Sequence, residues 1–496
     1  MDTDNFLLAR LQQGCAGREA EVFIDGPDGR SFARFFENAG RMAAALQALG
    51  VRPGDRVAAQ VGKSAEALEL YVGTVMAGGV FLPLNPAYTP AEVGYFLGDA
   101  APQVFVTAPE HVDELAEVAR AVPEVVTLGT DGNGSLPDLA AGQGAVPPVP
   151  RAANDLAAIL YTSGTTGRSK GAMLTHRALA SNSATLVDVW RFTPDDVLIH
   201  ALPIFHTHGL FVATNVALMA GASLIFHPAF DADAILEDMP RATALMGVPT
   251  FYTRLLDRPE LTPALTANMR LFISGSAPLL SETHARWQVR TGHTILERYG
   301  MTETNMSTSN PYDGERRPGT VGFPLPGVEL KITGDNGQEL PDGEIGTIEV
   351  RGDNVFAGYW QMPEKTAEEL RPDGWFVTGD LGMRDKDGYI TIVGRSKDLI
   401  ISGGLNVYPK EVESVIDDIE GVRESAVIGV PDADFGEQVV AVVVRDDPTL
   451  DRGTVARVAG ERLAKFKCPR RIEFVEALPR NTMGKVQKNA LRETYS

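Results

Sequence analysis

Cysteine and long apolar runs are nearly absent from this sequence, and each absence excludes a class of protein. The 496 residues include only two cysteines, Cys15 and Cys468, which are far apart and in no metal-ligand spacing. This excludes a disulfide framework and predicts a reducing, cytoplasmic setting. No apolar run reaches the ~18 residues that a membrane-spanning helix needs. The N-terminal MDTDNF is acidic, unlike a signal peptide, and the final ETYS matches no peroxisomal or retention signal.

Positive charge is also in short supply. The 45 lysines and arginines stand against 65 acidic residues, so the formal net charge is −20. This excess of negative charge argues against nucleic acid or an anionic membrane as a partner. Any anion that the protein binds must therefore be held by a few local groups. The 44% hydrophobic content is that of a globular protein, and 496 residues are too many for one core, so we expect at least two domains.

The hydrophobic pattern alternates between strand and helix over much of the chain. Short buried runs such as DRVAAQVG, GGVFLPLNP, LAAIL and MRLFISGS are separated by helical patterns such as SAEALELYVGTVMAG and HRALASNSATLVDVW. This alternation predicts an α/β core with mostly parallel sheets. From about Gly319 the D-N-G and D-G turns predict antiparallel strands, and a small α+β unit follows. We place a domain boundary near Arg395 to Lys397.

One loop combines the groups that bind phosphate. The stretch YTSGTTGRSKG, residues 161–171, joins a predicted strand to a predicted helix and carries hydroxyls, glycines and two cations. Glycines allow the backbone to approach a phosphate group, and hydroxyls and a lysine can bind it. The P-loop pattern does not fit, because Gly167 follows Gly164 too closely and Lys170 is followed by glycine. The composition alone also fits a solvated turn, but we predict phosphate binding in a different geometry from the P-loop.

This loop and five later segments resemble the adenylate-forming enzymes, which include acyl-CoA synthetases, adenylation domains of peptide synthetases and beetle luciferases. The later segments are SGSAPL, ERYGMTET, GWFVTGDLG, GRSKDLIISGGLNVYP and PRNTMGKVQK, in the family's order. The resemblance implies an α/β fold. Its large N-terminal domain, residues 1–395, would contain two α/β subdomains plus a β subdomain, followed by a small, mobile α+β C-terminal domain, residues 396–496. It also implies ATP, Mg²⁺ and coenzyme A as ligands.

The resemblance assigns ATP-binding roles within each motif. The glycine-rich loop would hold the β- and γ-phosphates, Thr302 the α-phosphate, and Glu303 with Thr165 the Mg²⁺ ion. Adenine would lie between the SGSAPL segment and Tyr299, and Asp380 would bind the ribose together with the arginine of GRSKD. The implied ATP-binding set is Thr162, Ser163, Gly164, Thr165, Thr166, Gly167, Lys170, Gly275, Ser276, Ala277, Pro278, Glu297, Arg298, Tyr299, Thr302, Asp380, Arg395 and Lys485.

Lys485 matches the family's catalytic lysine, which bridges the acid and the α-phosphate during adenylation. Acetylation of this lysine would remove its charge, so we expect acetylation to block that step. Together with Thr302 and Glu303, the implied catalytic set includes His206, which matches a gating position near the thioester channel. Lys397 matches the hinge about which the small domain swings between the two half-reactions. The implied coenzyme A contacts are Gly403 and Gly404, which would line the pantetheine tunnel, and Lys465 and Lys467, which would bind phosphates.

The segments around the expected acid pocket resemble the malonyl-CoA synthetases in particular. These segments are VPTFYTR and ERYGMTETNMSTSNPYDGERRPGTVG. In that group the arginine of the first segment binds the distal carboxylate, which implies Arg254 here, with His208, Ser276 and Met306 around the acid. From the residues alone, Arg254 could instead point to solvent and pair with a nearby acidic side chain.

The expected reaction is therefore malonate, ATP and coenzyme A to malonyl-CoA, AMP and pyrophosphate. One alternative is an acyl-CoA synthetase for another short or dicarboxylic acid, such as methylmalonate. A stand-alone adenylation domain is a second alternative, but no carrier domain is evident in the sequence. A luciferase-like monooxygenase fits poorly, because a polar pocket with an arginine does not suit a large aromatic substrate. A phosphate-binding NTPase would release ADP and phosphate instead of AMP and pyrophosphate.

Overall fold

Four β-sheets organise the part of the chain that the computed structural model describes, which is residues 4–26, 29–162, 169–402, 405–432, 435–481 and 484–496. The strands, in chain order, are β1 (Val22–Asp25), β2 (Arg30–Ser31), β3 (Arg56–Gln60), β4 (Val80–Pro83), β5 (Val104–Thr107), β6 (Glu124–Thr127), β7 (Leu156–Thr162), β8 (Lys170–Thr175), β9 (Val197–His200), β10 (Ser223–Phe226), β11 (Ala244–Gly247), β12 (Leu271–Ser274), β13 (Leu296–Met301), β14 (Asn305–Ser309), β15 (Phe323–Pro324), β16 (Val328–Thr333), β17 (Gly346–Gly352), β18 (Phe376–Arg384), β19 (Ile390–Arg395), β20 (Ile400–Ser402), β21 (Leu405–Val407), β22 (Val422–Asp432), β23 (Gly436–Arg445) and β24 (Arg471–Val475).

Several helices begin at a residue whose side chain caps them. Ser64, Thr89 and Thr175 each accept a hydrogen bond from a first-turn amide, and Thr89 forms a capping box with Glu92. The helices are α1 (Phe6–Gln13), α2 (Phe32–Ala48), α3 (Ala65–Met76), α4 (Pro90–Ala100), α5 (Val112–Leu115), α6 (Ser135–Ala141), α7 (His176–Val189), α8 (Asn215–Ala220), α9 (Ala232–Asp238), α10 (Pro249–Leu256), α11 (Ser281–Thr291), α12 (Pro363–Glu369), α13 (Pro409–Asp417), α14 (Arg452–Arg462) and α15 (Lys488–Tyr495). Among the described helices, none combines the length and the apolar character that a bilayer crossing requires.

A six-stranded sheet contains the glycine-rich loop. Its order is β6-β5-β3-β4-β7-β8, and all pairs are parallel except β7 with β8. Strands β3, β4 and β5 are almost wholly buried, as expected for apolar runs covered by helices on both faces. The predicted strand-to-helix position of the glycine-rich loop was wrong. The loop joins the antiparallel strands β7 and β8, and the helix α7 begins only at His176, after the second strand.

A nine-stranded sheet contains most of the later motifs. Its order is β15-β14-β13-β12-β11-β9-β10-β1-β2, parallel from β13 to β1 and antiparallel at both ends. The SGSAPL segment follows β12, and the ERYGMTET segment covers β13 and the turn to β14. In sheets of this kind, ligand sites lie beyond the carboxyl ends of the parallel strands. The topology therefore brings these motifs to the edge where a ligand is expected.

The last two sheets are smaller. Strands β16 to β19 form an antiparallel four-stranded sheet, and β20 to β24 form a sheet with its own two apolar clusters around α13, α14 and α15. The four-stranded sheet ends at Arg395, and the next sheet begins at Ile400. The predicted fold class, an α/β chain with a large N-terminal part and a small α+β C-terminal part, is confirmed. The division at residue 395/396 stays a prediction.

The packing behind the motifs predicts where the nine-stranded sheet is most sensitive. Trp287 on α11 is fully buried, and its ring lies 5.0 Å from that of Tyr252 and 4.9 Å from that of Phe272. We expect Trp287→Ala to destabilise the protein by about 3–5 kcal/mol because it leaves a cavity between α10, α11 and β12. Thermal unfolding monitored by circular dichroism would measure this loss. Val289→Ala on the same helix is the control, since Val289 is 87% exposed; equal effects of both changes would contradict the prediction.

Candidate active site

The first residues of the glycine-rich loop and the GMTET segment bring the two large sheets into contact. Thr162 ends β7 in the six-stranded sheet, and Glu303 lies in the turn between β13 and β14 of the nine-stranded sheet. The Thr162 Oγ1 atom lies 3.4 Å from Glu303 Oε1, although 141 residues separate them. Thr302, the predicted α-phosphate ligand, is buried in the same turn. The site is thus assembled from both sheets.

Glu303 is a buried carboxylate, only 4% exposed. Its Oε1 accepts a hydrogen bond from the Tyr359 hydroxyl at 3.0 Å, and its backbone carbonyl accepts one from the Phe356 amide at 2.8 Å. Burial raises the pKa of Glu303, while a backbone hydrogen bond and the charge of Lys170 oppose the rise. A carboxylate removed from water in this way gains more from a nearby cation than one in bulk solvent does.

Lys170, the predicted phosphate lysine, is held by two residues that sequence reasoning missed. Its Nζ atom lies 3.3 Å from both carboxylate oxygens of Glu369 and 4.1 Å from the centre of the Tyr359 ring. The Tyr359 hydroxyl also donates to Glu369 Oε2, at 2.6 Å. Glu369 follows Lys170 by 199 residues, so no local pattern links the two. A triphosphate bound by Lys170 would share this lysine with Glu369.

The strand β13 places consecutive residues on opposite faces. Glu297 and Tyr299 share one face and Arg298 takes the other, as the alternation of a strand requires. The Tyr299 hydroxyl donates to Asp380 Oδ2 at 2.5 Å, and Arg395 Nε lies 2.6 Å from Asp380 Oδ1. Asp380 and Arg395 are also cross-strand partners on β18 and β19. The predicted adenine and ribose residues Tyr299, Asp380 and Arg395 are therefore in direct contact.

Arg298 is a buried guanidinium with unsatisfied donors. It is 4% exposed, and its Nε and Nη2 atoms have no hydrogen-bond partner among the described residues. Burial lowers the pKa of Arg298 to about 9, and the nearby Tyr252 counteracts this. Gly275 packs against the guanidinium so closely that a Cβ atom there would lie 2.4 Å from Arg298 Cζ. Such a group is costly unless an anion pairs with it.

Two predicted histidines lie close to this guanidinium. His208 is buried, and its Nδ1 atom lies 3.3 Å from the hydroxyl of Ser276, which adopts a φ of 71° in the SGSAPL loop. Burial, followed by the charge of Arg298, lowers the pKa of His208 well below its ordinary value and that of His206 to about 4. Both imidazoles are therefore neutral near pH 7. A neutral ring next to a guanidinium can donate to an anion without repelling the arginine.

The other predicted acid-pocket residues are differently placed. Met306 on β14 is buried, and Asn182 bonds both its amide, at 3.1 Å, and its carbonyl, at 2.7 Å. Arg254, the predicted carboxylate ligand, lies on an exposed side of α10, and its guanidinium carbon is 5.6 Å from the centre of the Phe230 ring. Arg254 forms no ion pair within the described part of the chain. Its assignment as the ligand of the distal carboxylate stays a prediction.

Lys485 approaches the site from the C-terminal part. Its side chain is solvent-accessible, but partial desolvation and then the charge of Arg395 lower its pKa, while Asp380 raises it. The charge of Lys485 also acts on His206. These interactions place the Lys485 ammonium between the predicted ribose ligands and the histidines. That is where an acid carboxylate and an α-phosphate would meet.

Two ion pairs hold the ends of the Lys485 loop, residues 479–488, against the small sheet. Arg480 pairs with Glu424 on β22, and Lys488 Nζ lies 2.6 Å from Glu413 Oε1 on α13. Within the loop, the amide of Lys485 donates to Asn481 Oδ1 at 2.9 Å. The loop is thus joined to α13 and β22 on both sides of the lysine.

The remaining predicted residues lie outside this cluster or outside the described residues. Lys397 is exposed in a short 3₁₀ turn, Ser396–Asp398, between β19 and β20. Lys465 is exposed, while Lys467 Nζ pairs with Glu411 at 2.6 Å. Ala277 is half-buried and Pro278 exposed after β12. The predicted residues outside the described ranges are Ser163, Gly164, Thr165, Thr166, Gly167, Gly403 and Gly404.

The donors around Glu303 suit a hard cation. Within the described ranges, no group of three histidine, cysteine or acidic side chains could hold a metal ion by itself. Mg²⁺ prefers oxygen ligands and commonly combines one carboxylate with phosphate oxygens and water. The buried Glu303 carboxylate beside the Thr162 hydroxyl fits that ligand set. The other predicted ligand, Thr165, lies in the part that is not described.

Comparison with known proteins assigns a family to both parts of the chain. The model of the family described as AMP-binding enzyme matches residues 11–360. The model of the AMP-binding enzyme C-terminal domain matches residues 411–485. The first match contains the glycine-rich loop, SGSAPL and ERYGMTET, and the second ends at Lys485, while Asp380 and Arg395 lie between the two matches.

Individual relatives cover almost the whole chain. The ATP-bound crystal structure of MatB from Rhodopseudomonas palustris is 61% identical, with a TM-score of 0.97 and 99% of each chain covered. A malonate–CoA ligase of Arabidopsis thaliana is 35% identical, covering 92% of this chain and 81% of that protein. A feruloyl-CoA synthase of an Amycolatopsis species is 36% identical, covering 94% of both. Similar identity to ligases of different acids means that overall similarity to them does not decide the acid.

The buried carboxyl of Glu297 predicts a pH-dependent stability. Burial raises the pKa of Glu297 to about 8, against the hydrogen bond that it accepts from the Gly319 amide at 3.2 Å and the charge of Lys410. The folded protein therefore keeps a proton that the unfolded chain loses near pH 4.5, so this group costs stability as the pH rises between these values. We expect Glu297→Gln to gain stability over wild type from about pH 5 to about pH 8.

Thermal midpoints of both proteins across this pH range would measure the difference. Glu260→Gln, at an exposed position, is the control and should show no such trend. A difference between Glu297→Gln and wild type that is constant with pH would show that Glu297 does not titrate there.

Proposed function

The chain belongs to the AMP-binding enzyme family, and we propose that within this family it is an AMP-forming malonate–CoA ligase. In the first half-reaction, a malonate carboxylate oxygen attacks the α-phosphorus of ATP and pyrophosphate leaves. In the second, the thiol of coenzyme A attacks the acyl carbon of malonyl-AMP, and AMP leaves with the former carboxylate oxygen. The reaction thus consumes malonate, ATP and coenzyme A and yields malonyl-CoA, AMP and pyrophosphate.

The buried guanidinium of Arg298, which has no anionic partner within the described ranges, is the observation that carries the choice of acid. A monocarboxylate would present only the carboxylate that reacts, and a guanidinium facing the pocket would then remain without an anion. Malonate brings a second carboxylate, and a guanidinium fork binds carboxylate well. The neutral His208 and the Ser276 hydroxyl lie beside the guanidinium and could complete this anion site. The comparisons are consistent with this choice without making it, since a malonate–CoA ligase is among the relatives.

Two arginines are therefore candidates for the distal carboxylate. Arg254 follows from the resemblance to malonyl-CoA synthetases, and Arg298 follows from burial and lack of a partner. We propose that Arg298 forms the inner contact and that Arg254, on the exposed side of α10, contributes from the mouth of the pocket. Met306 would then line the apolar side of the acid, at its central carbon. Methylmalonate carries an extra methyl group at this carbon and is the alternative substrate.

The other residues divide between binding and charge stabilisation. Tyr299, Asp380 and Arg395 would bind the nucleoside, while Thr162, Thr302 and Lys170 would bind the phosphates. Mg²⁺ would be held by Glu303 and the phosphate oxygens, and would supply positive charge to the triphosphate. Lys485 would bridge the attacking carboxylate and the α-phosphate, where negative charge concentrates as the bond forms. We place this lysine in a small domain of residues 396–496 that turns about Lys397 to expose the adenylate to coenzyme A.

A substrate panel tests the acid assignment. Release of AMP and pyrophosphate would be measured with malonate, methylmalonate, acetate, butyrate, succinate and sulfoacetate. We expect malonate to have the highest kcat/KM. In Arg298→Met, an apolar replacement of similar length, the malonate-to-butyrate ratio of kcat/KM should fall at least ~100-fold because the second carboxylate loses its partner.

Arg254→Met is the matched comparison, since it removes the same charge from the exposed position. If the malonate-to-butyrate ratio of kcat/KM falls only in Arg254→Met, Arg254 and not Arg298 binds the distal carboxylate. If a monocarboxylate is the best substrate of the wild type, the enzyme class survives and malonate is wrong.

Separating the half-reactions tests Lys485. We expect Lys485→Ala to lose pyrophosphate release by ~100- to 1000-fold, since one preorganised charge at a transition state contributes about 2.7–4 kcal/mol. The same variant should still convert supplied malonyl-AMP and coenzyme A to malonyl-CoA. Acetylation removes the same charge and should produce the same pattern. Equal loss of both half-reactions, or full adenylation by the acetylated protein, would contradict this role.

A further inference from the structure

A lysine and a histidine that no step above uses join the two large sheets beside the acid pocket. Lys63 lies just after the carboxyl end of β3 in the six-stranded sheet, and His200 ends β9 in the nine-stranded sheet. The Lys63 Nζ atom lies 2.9 Å from His200 Nδ1 and 2.7 Å from the His200 carbonyl oxygen. It also lies 4.3 Å from the centre of the Phe226 ring. Within the described ranges, Lys63 has no carboxylate partner.

These contacts fix the orientation and the proton position of the His200 ring. The ring is 1% exposed, and its Nε2 atom lies 2.9 Å from the carbonyl oxygen of Gly209. A carbonyl can only accept, so Nε2 carries the proton and Nδ1 accepts from the amine of Lys63. Burial and then Lys63 lower the pKa of His200 well below its ordinary value, which agrees with a neutral ring. Either protonation state of Lys63 has the two N–H bonds that its contacts require.

The hydrogen bond from His200 to the Gly209 carbonyl joins the two ends of the loop that carries the acid-pocket histidines. We call residues 201–208 the histidine loop, because it contains His206 and His208. The loop ends in a π-helical turn, His208–Thr214, whose Gly209 carbonyl also accepts from the Thr214 hydroxyl at 3.0 Å. A Cβ atom on Gly209 would lie 2.0 Å from the Pro203 carbonyl oxygen, so the turn is packed directly against the start of the loop.

A purely structural role would be met more cheaply by apolar side chains. Enclosing an amine and an imidazole removes both from water, and packed hydrophobic residues of similar size avoid that cost. Apolar residues, however, cannot form directional hydrogen bonds that orient a neighbouring loop. The chain of contacts from Lys63 through His200 to Gly209 sets the position of the residue before Gly209, which is His208. His208 in turn contacts Ser276 on the far side of the pocket.

We propose that Lys63 and His200 are positioning residues of the acid pocket, which hold the histidine loop so that His208 and Ser276 present their polar atoms to the second acid group of the substrate. This inference rests on the proposed function for the identity of the acid. It assigns the lysine and the histidine to acid recognition and not to ATP binding, because their contacts within the described ranges lead to the histidine loop and not to Thr162, Lys170 or Thr302.

The test compares four variants in steady-state assays. We expect Lys63→Met to raise the KM for malonate ~10-fold, since one directional hydrogen bond and the alignment that it provides are lost. The KM for ATP should stay at the wild-type value. His200→Leu should have the same effect as Lys63→Met. His200→Gln should retain most of the affinity, because its amide can accept from Lys63 and donate to Gly209. Lys386→Met, at an exposed position, is the matched control and should leave both constants unchanged.

Several outcomes would overturn the proposal. A wild-type KM for malonate in both Lys63→Met and His200→Leu would remove any positioning role. An equal rise in the KM for ATP, or equal damage in His200→Gln and His200→Leu, would show that the pair only supports the fold. Binding of ATP, measured by calorimetry, shows that a variant is folded. If Lys63→Met does not bind ATP, the comparison of His200→Leu with His200→Gln tests the proposal. If malonate is the wrong acid, the wild type will show it in the substrate panel. The KM values of the variants are then compared for the acid that the wild type uses.

Discussion

The burial of Arg298, which has no carboxylate partner among the described residues, is the constraint on which the proposed acid side of the site depends. It requires a glycine at position 275, where any side chain would collide with the guanidinium. Burial lowers the pKa of His206 and of His208, and the charge of Arg298 lowers both further, so the two rings stay neutral. The pocket can therefore supply hydrogen bonds from the histidines and a single buried positive charge from the arginine. That combination suits an anion that enters with its own charge.

The alternation of β13 separates the two halves of the chemistry. Tyr299 faces the nucleoside side with Asp380, while Arg298 faces the histidines and Gly275. Under the proposed assignment, these two successive residues would contact two different ligands, and the width of one strand would set the distance between the ligands. The turn that follows adds Thr302 and Glu303 at the junction with the glycine-rich loop. A short segment of one strand would therefore hold the acid and the nucleotide next to each other.

Much of this arrangement follows from local sequence, and the rest depends on contacts between distant residues. The apolar runs that became β3, β4, β7 and β12 predict a parallel core because burial on both faces demands them. The order of the motifs predicts the family. The strand β8 was missed because KGAMLT is short and directly follows a loop whose composition dominates any pattern. The pairing of Lys170 with Glu369, and of Lys63 with His200, could not be predicted, since each joins residues from separate parts of the chain.

The attachment of the Lys485 loop has a consequence for timing. Ion pairs from Arg480 and Lys488 tie both ends of the loop to β22 and α13. Described residues on both sides of Lys485 are therefore attached to the small sheet and its helix, and a movement of that sheet would carry the lysine with it. Under the proposed domain motion, Lys485 would leave the α-phosphate only when the small sheet turns, so the rate of turning at the junction near Lys397 would set the end of adenylation.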